Sequence, residues 1–407
     1  MDRTICYQIQ KEDAGIRVEQ FLRRRLYSRQ NLAQLKKENA TWRNGQTCPL
    51  MQKLSCGDIL EVHIREDSCS ENIPAASCPA LVFMRDMFRF AKQIENTDAG
   101  RAIAPCAISN ARLSRALSIV YEDEDILVVN KPAGLPMHPS RDNFYYSLAN
   151  AVMYYYRNSG SFVFRCTNRL DRDTSGLTVI AKHPVSASVL GSMAKSKGNG
   201  SRPVMEREYL AIACGTVTPA DGTICAPLAR KENVLSVNAF HPAAAPERTI
   251  ERCVDFEHGE RAVTHYRVLE TKNGYSLLSL LLETGRTHQI RVHMAYLGYP
   301  LAGDYLYHPA CRAAAIRTCP AAQLLIQESP ENKVPTLIST QIPSVTVPRE
   351  ITGISRQALH AYRLAFPHPM TGKRLEFIAP MPEDMQKFGF SRLLSTPHQS
   401  AECFPLW

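Results

Sequence analysis

No apolar run in this 407-residue chain is long enough to cross a bilayer. The longest, such as Leu277–Leu282 with Ser279 inside it, fall far short of the ~20 residues a spanning helix needs. The first residues, MDRTICYQIQKEDAG, mix acid and base and lack the apolar stretch of a secretory signal, so a cytoplasmic protein is expected. The 13 cysteines contain no Cys-x-x-Cys pair, which argues against a zinc ribbon or a thioredoxin-type site. An odd cysteine count without an export signal also argues against a disulfide framework. Most of the cysteines read as small buried hydrophobes, and no bound metal is expected. A P-loop and a Gly-x-Gly-x-x-Gly strand turn are missing as well.

What is present fits an ordinary folded protein. Apolar residues make up 44% and charged residues 21%, which excludes wholesale disorder. Lys and Arg exceed Asp and Glu by 48 to 39, a mildly basic balance of +9. At ~150 residues per domain, two or three domains are expected.

Residues 1–65 read as a compact module. Val18, Phe21, Leu22 and Leu26 recur at helical spacing, and Leu32 and Leu35 mark a second helix after the N-cap candidate Ser28. Asn44-Gly45 and Gly57-Asp58 predict tight turns, the second leading into a strand over Ile59–Ile64. Twelve basic side chains stand against seven acidic ones here, and the cations concentrate at Arg23, Arg24, Arg25, Arg29, Lys36 and Lys37. Residues 66–117 read as a linker or insertion that could hold one amphipathic helix, Leu81–Ile94. From Ile119 to about Gly303 the texture is strand-rich. Strands are expected at Ile126–Val129, Leu177–Ala181, Tyr209–Val217, Thr264–Leu269 and Tyr275–Glu283, with helices at Ser186–Lys195 and Thr287–Leu297. No regular βαβ alternation occurs, so an α+β fold with a mixed or antiparallel sheet is favoured. Residues 308–357 read as an insertion, followed by a hairpin of Leu359–Phe366 and Arg374–Ile378. Residues 391–407 form a C-terminal tail.

Three segments could carry chemistry. Asn168–Gly176 is dense in charge and hydroxyls and abuts a buried strand, a suitable place to hold the Asp171 carboxylate; a capped surface turn is the plainer alternative. Leu170 should anchor that loop in the core. Gly285–Met294 opens a helix on which Arg291 could meet a carboxylate, lowering its pKa and gripping it in bidentate fashion; a solvated helical face is the alternative. Tyr209 is either a core aromatic with its hydroxyl at the rim or a base-stacking platform.

Taken together and in order, these segments resemble the RluA family of RNA pseudouridine synthases. The matching stretches are Tyr121-Glu-Asp-Glu-Asp-Ile-Leu-Val-Val-Asn-Lys-Pro-Ala-Gly134, Arg169-Leu-Asp-Arg-Asp-Thr-Ser-Gly-Leu177, Arg207-Glu-Tyr-Leu-Ala211 and Gly285-Arg-Thr-His-Gln-Ile-Arg-Val-His293. Gly303-Asp304 and Ala358-Leu-His-Ala-Tyr-Arg-Leu-Ala-Phe-Pro-His-Pro369 complete the set. They lie within residues 118–386. The resemblance implies a pseudouridine synthase catalytic domain over 118–390, interrupted by the insertion at about 308–357. The front module is similar to the small alpha-L RNA-binding domain of ribosomal-protein type.

Carried over residue by residue, the resemblance makes Asp171 the essential aspartate and Arg291 the basic residue that pairs with it. It makes Tyr209 the aromatic that stacks on uracil, and Arg169 the side chain that fills the gap left by the flipped base. The family usually has His where this chain has Asn168, so altered hydrogen bonding around the loop is expected. Lys195–Met205 is longer and richer in Gly, Ser and Lys than the family leads one to expect. The reaction breaks a glycosidic bond, rotates uracil and rejoins it through carbon, exchanging no electrons or phosphoryl groups, so no cofactor is expected. The implied partner is structured RNA, either large-subunit ribosomal or transfer RNA, bound by a monomer without a membrane. Two other readings compete. A binding protein with a decayed site would lack turnover, and a glycosidase would release free uracil but ordinarily needs a pair of carboxylates.

Overall fold

The computed structural model describes residues 2–66, 117–140, 146–159, 161–196, 203–231, 235–236, 247–248, 251–310 and 354–391. The helix expected at Leu81–Ile94, most of 308–357, part of Lys195–Met205 and nearly all of the tail lie outside these residues. Contacts divide the chain into two compact units. The first comprises 1–172, 177–205 and 365–377; the second comprises 173–176, 206–364 and 378–407. The fold is α+β.

In the first unit, strands β1 (Arg3–Gln8), β2 (Thr41–Arg43), β3 (Gln46–Thr47) and β4 (Ile59–Ile64) form an antiparallel sheet in the order β1-β4-β2-β3. Asn44 and Gly45, both at positive φ (52° and 79°), turn β2 into β3. This is the backbone that the Asn-Gly pair favours. Helices Val18–Arg24 and Arg29–Glu38 pack Val18, Phe21, Leu22, Leu32 and Leu35 into the core. Ser28 caps the second helix, accepting from the Asn31 amide at 3.1 Å.

Leu26 departs from the expected apolar stripe. It lies beyond the helix at φ 63° and is 42% exposed. Tyr27 N–H donates to Leu22 O and Leu26 N–H to Arg23 O, a closure in which the left-handed position usually falls to glycine. Tyr27, not Leu26, therefore supplies the buried contact. The apolar cluster of this module continues into Val185 and Val189 of helix Pro184–Met193.

The remainder of the first unit contains β5 (Ile119–Glu122), β6 (Ile126–Lys131), β7 (Arg165–Cys166) and most of β8 (Ser175–Ala181). β6 lies between β5 and β8, and β7 pairs with β8. Every residue of β8 is buried, which suits its β-branched Thr178, Val179 and Ile180. Helix Leu148–Tyr155 was not expected. Six of its eight residues are buried, so it carries no polar face from which a helical period could be read.

The second unit is built on β9 (Glu206–Cys214), β10 (Asp221–Cys225), β11 (Leu228–Lys231), β12 (Leu235–Ser236), β13 (Glu247–Arg248), β14 (Glu251–Val254), β15 (Val263–Lys272), β16 (Tyr275–Leu282) and the start of β17 (Leu359–Pro367). The main sheet runs β10-β15-β16-β9-β17; β11 pairs with β14 and β12 with β13. All of β16 is buried, and its serines find partners inside: Ser276 Oγ donates to Gly215 O at 2.8 Å and Ser279 Oγ to Glu208 at 2.7 Å. β17 turns into β18 (Arg374–Ile378) as the hairpin expected there.

Candidate active site

The segment bearing Asp171 leaves β7 and enters β8. Along it Asn168 and Leu170 are buried, Arg169 is exposed and Asp171 is half-buried. Leu170 is thus the core anchor that the sequence leads one to expect. Asn168 Nδ2 donates to Leu177 O at 3.1 Å, and its Oδ1 accepts from Val179 N at 2.8 Å. Both ends of the amide are therefore spent on the main chain of β8, an arrangement an imidazole could not duplicate with the same atoms.

Lys131, wholly buried at the end of β6, donates its ammonium to Pro132 O, Leu135 O and Arg172 O at 2.8–2.9 Å. Three carbonyls around one ammonium satisfy its three protons. The bond to Arg172 O also fixes the Arg172–Asp173 peptide, one residue beyond Asp171.

The chain continues into the second unit at Asp173, where different groups hold it. Arg356 donates Nη1 to Asp173 O at 3.3 Å and forks Asp384 with Nε and Nη2 at 2.6 and 2.8 Å. Ser175 Oγ lies 2.9 Å from His360 Nδ1, and His360 Nε2 donates to Ala379 O at 3.2 Å. Burial pushes the His360 pKa down to about 4, so the ring is neutral. Gly176 runs parallel to Ala361 at φ +116°, where a Cβ would sit 2.3 Å from Ala361 O. No side chain fits there.

Tyr209 and Arg291 both belong to the second unit. On β9, Glu206 and Glu208 turn toward Arg363, whose Nη1 lies 3.0 and 3.8 Å from them. Arg207 and Tyr209 occupy the opposite face by the strand's period of two. Tyr209 is only 6% exposed.

Helix Gln289–Tyr296 starts two residues later than expected, because His288 sits in the left-handed region at φ 58°. Arg291 is buried on this helix rather than solvated. Its Nε and Nη2 fork Asp304 at 2.7 and 2.9 Å, and its guanidinium lies 5.0 Å from the Tyr307 ring centre. Burial alone would raise the Asp304 pKa, but Arg291 and the Leu306 and Tyr307 amides hold it below the usual carboxylate range. Arg291 thus forks Asp304, whose role sequence reasoning missed. The adjacency of Gly303-Asp304 was the only signal, and it names no partner. Gln289 and His293 on the same helix hydrogen-bond to Thr264, so much of this motif fastens the helix to β15.

The front cations behave in two ways. Arg23 pairs with Glu19, and Arg24 and Arg25 with Asp13. Arg25 also stacks 3.5 Å above the Phe21 ring, so it is partly structural. Arg29, Lys36 and Lys37 are exposed and have no ion pair among the described residues.

A cluster of Asp123, Asp125 and His368 brings three possible ligand atoms within 4.8 Å. His368 Nδ1 accepts from the Met370 and Thr371 amides, so its proton resides on Nε2, which donates to Asp123 at 2.9 Å. His183 does the same toward Asp125 at 3.0 Å, with Nδ1 accepting from Ser186 N, and Arg3 adds a further donor. Neither ring offers a lone pair to the carboxylates' side, and the group is a hydrogen-bonded knot rather than a cation cage.

A sequence profile for RNA pseudouridylate synthase matches residues 125–296. The ribosomal large subunit pseudouridine synthase D of Pasteurella multocida is 38% identical over 271 residues, covering 66% of this chain and 68% of that one. A Bacillus subtilis protein described as the uncharacterized RNA pseudouridine synthase YjbO is 35% identical over 272 residues, covering 67% and 75%. Among solved structures, human RNA pseudouridylate synthase domain containing 4 aligns with a TM-score of 0.45 at 20% identity, over 69% of this chain and 94% of that one. The chain belongs to the RluA family of RNA pseudouridine synthases.

Proposed function

We propose that this enzyme converts uridine to pseudouridine at a defined position in structured RNA, with Asp171 acting on a nucleotide flipped out of its stack. The observation that carries the assignment is the treatment of the Asp171 segment. Buried Asn168, Leu170 and Lys131 fix the loop, while Asp171 stays half-buried and Arg169 exposed. A merely decorative surface turn has no need of a fully buried lysine bonded to its backbone.

In this reading Tyr209 stacks on the uracil and Arg169 fills the vacated space. Flipping costs a few kcal/mol. Stacking on an aromatic returns about 1–3 kcal/mol, so Tyr209 offsets much of it. Arg291, oriented by Asp304, takes the role of the basic residue that pairs with the catalytic aspartate, as the family resemblance implies. The chemistry needs this carboxylate near the sugar or ring and a pocket that retains the freed base. The front module supplies affinity, with Arg23, Arg24, Arg25, Arg29, Lys36 and Lys37 as its cations, led by the exposed Arg29, Lys36 and Lys37. Large-subunit ribosomal RNA is the preferred substrate, by likeness to the ribosomal large subunit pseudouridine synthase D of Pasteurella multocida; the protein works as a cytoplasmic monomer.

The test is tritium release from RNA labelled at carbon five of uridine. Wild type releases tritium, and Asp171→Asn loses it by at least ~10⁴-fold while keeping RNA affinity within about threefold. Turnover near wild type in that variant removes Asp171 from its role. Free uracil among the products would instead indicate a glycosidase. Comparing ribosomal and transfer RNA transcripts decides the substrate.

A further inference from the structure

Among the described residues, Arg207 is a buried cation whose charge no carboxylate matches. The residue is 7% exposed, and its Nε and Nη2 are buried with no hydrogen-bond partner among the described residues. The carboxylates next to it in sequence, Glu206 and Glu208, serve Arg363 and Ser279 on the other face of β9. The Arg207 Nη1 lies next to the exposed Gly285. A Cβ on Gly285 would lie 2.7 Å from Arg207 Nη1, and the only other atom within 4 Å is the same guanidinium's Cζ. Gly285 is therefore an opening above a guanidinium that holds donors in reserve.

We infer that Arg207 and Gly285 form a phosphate-binding subsite, which takes a backbone phosphodiester of the RNA beside the flipped nucleotide. This rests on the reading that RNA is the substrate. A buried, unmatched charge is costly and is retained where a ligand completes it. A phosphodiester brings the missing negative charge and oxygens that fit the planar fork of an arginine. Uracil offers only neutral carbonyls and would leave the charge unmatched. Burial lowers the Arg207 pKa, with Tyr209 the one group opposing that shift, in keeping with a site short of negative charge.

The experiment measures binding of unmodified large-subunit ribosomal and transfer RNA transcripts between 50 and 300 mM salt, with thermal melting of each protein. Arg207→Gln should bind about tenfold more weakly at 100 mM salt, with its log K against log salt slope shallower by about 0.7–0.9, one phosphate. Its melting temperature should hold or rise, because a buried unmatched charge has been removed. Arg207→Lys should keep the wild-type slope. Gly285→Ala should weaken binding with all charges in place, since its methyl occupies the opening. An unchanged slope in Arg207→Gln, or a lowered melting temperature with unchanged affinity, overturns the subsite and makes Arg207 a structural cation. Wild type that binds the transcripts but releases no tritium overturns the enzymatic reading instead, because the slope test requires binding alone.

Discussion

The two compact units fasten neighbouring parts of one segment by different means. The first uses an ammonium bonded to carbonyls, Lys131, and a side-chain amide, Asn168. It leaves most of its other cations near solvent. The second uses a guanidinium forked onto a carboxylate, Arg356 with Asp384, together with the neutral ring of His360. The buried cations that find partners therefore fix geometry, whereas the exposed, unpaired cations of the front module are, in the proposed reading, those that attract RNA. Losing one of the first kind should damage turnover and stability together; losing the second kind should damage affinity alone.

The largest test of that contrast is Lys131→Met. The substitution keeps the volume but strands three carbonyls, each costing about 1–3 kcal/mol, partly offset by not burying a charge. A net loss of about 3 kcal/mol in denaturant unfolding is expected. A fall in kcat of about 10²-fold should accompany it, because the Arg172–Asp173 peptide loses its clamp. RNA affinity should change little. A stable variant with full turnover would show that the clamp on Arg172 O is dispensable.

Acid should then separate the units. His360 is depressed to about 4 by burial, and His293 and His308 are lowered for the same reason. A histidine whose folded pKa lies below its unfolded value of about 6.5 contributes its full stability above that value and loses it as pH falls toward the folded pKa. For His360 this amounts to about 3 kcal/mol between pH 6.5 and 4. In the first unit the depressed groups include Asp123 and Asp125; burial opposes the shift, and His368 and His183 respectively lead the hydrogen bonds that produce it. Depressed carboxylates keep their contribution down to about pH 4 and lose it below. Segment-resolved hydrogen exchange should show the second unit loosening first, between pH 6.5 and 4. Loosening of both units at one pH would erase the distinction, and His360→Asn should flatten the first phase.

Much of this was legible in the sequence, for reasons that differ by element. β6, β8 and β16 are runs of branched or leucine side chains buried on both faces, so continuity of apolar residues revealed them. β9 was placed three residues late because Glu206, Arg207 and Glu208 read as loop; the two carboxylates enter the strand because Arg363 meets them, a partner not visible locally. Val18, Phe21 and Leu22 were correctly core, whereas Leu26 lay past a left-handed closure that any residue but glycine announces poorly. Of the proposed site, Asp171, Tyr209 and Arg291 stood out through resemblance. Asp304, Lys131, Arg356 and Arg207 acquire their meaning only from what lies across from them in space.

The smallest expected effect concerns the front module. Arg29, Lys36 and Lys37 lie on one helix, exposed and without ion pairs among the described residues, whereas Arg25 is stacked on Phe21 and tied to Asp13. Replacing the first three by Ala together should leave the melting temperature within about 2 °C, since exposed charges contribute little to stability. RNA affinity should fall by about tenfold at 100 mM salt, and the salt slope should become shallower by two to three phosphates' worth, about 2 units. Turnover on a short fragment lacking the distal contacts should not change. Arg25→Ala should do the reverse, lowering stability by about 1 kcal/mol through its lost cation–π and ion-pair contacts while leaving the slope close to wild type. If Arg25→Ala instead flattens the slope as strongly as the triple variant, the division between holding and attracting cations fails within the very module that displays both.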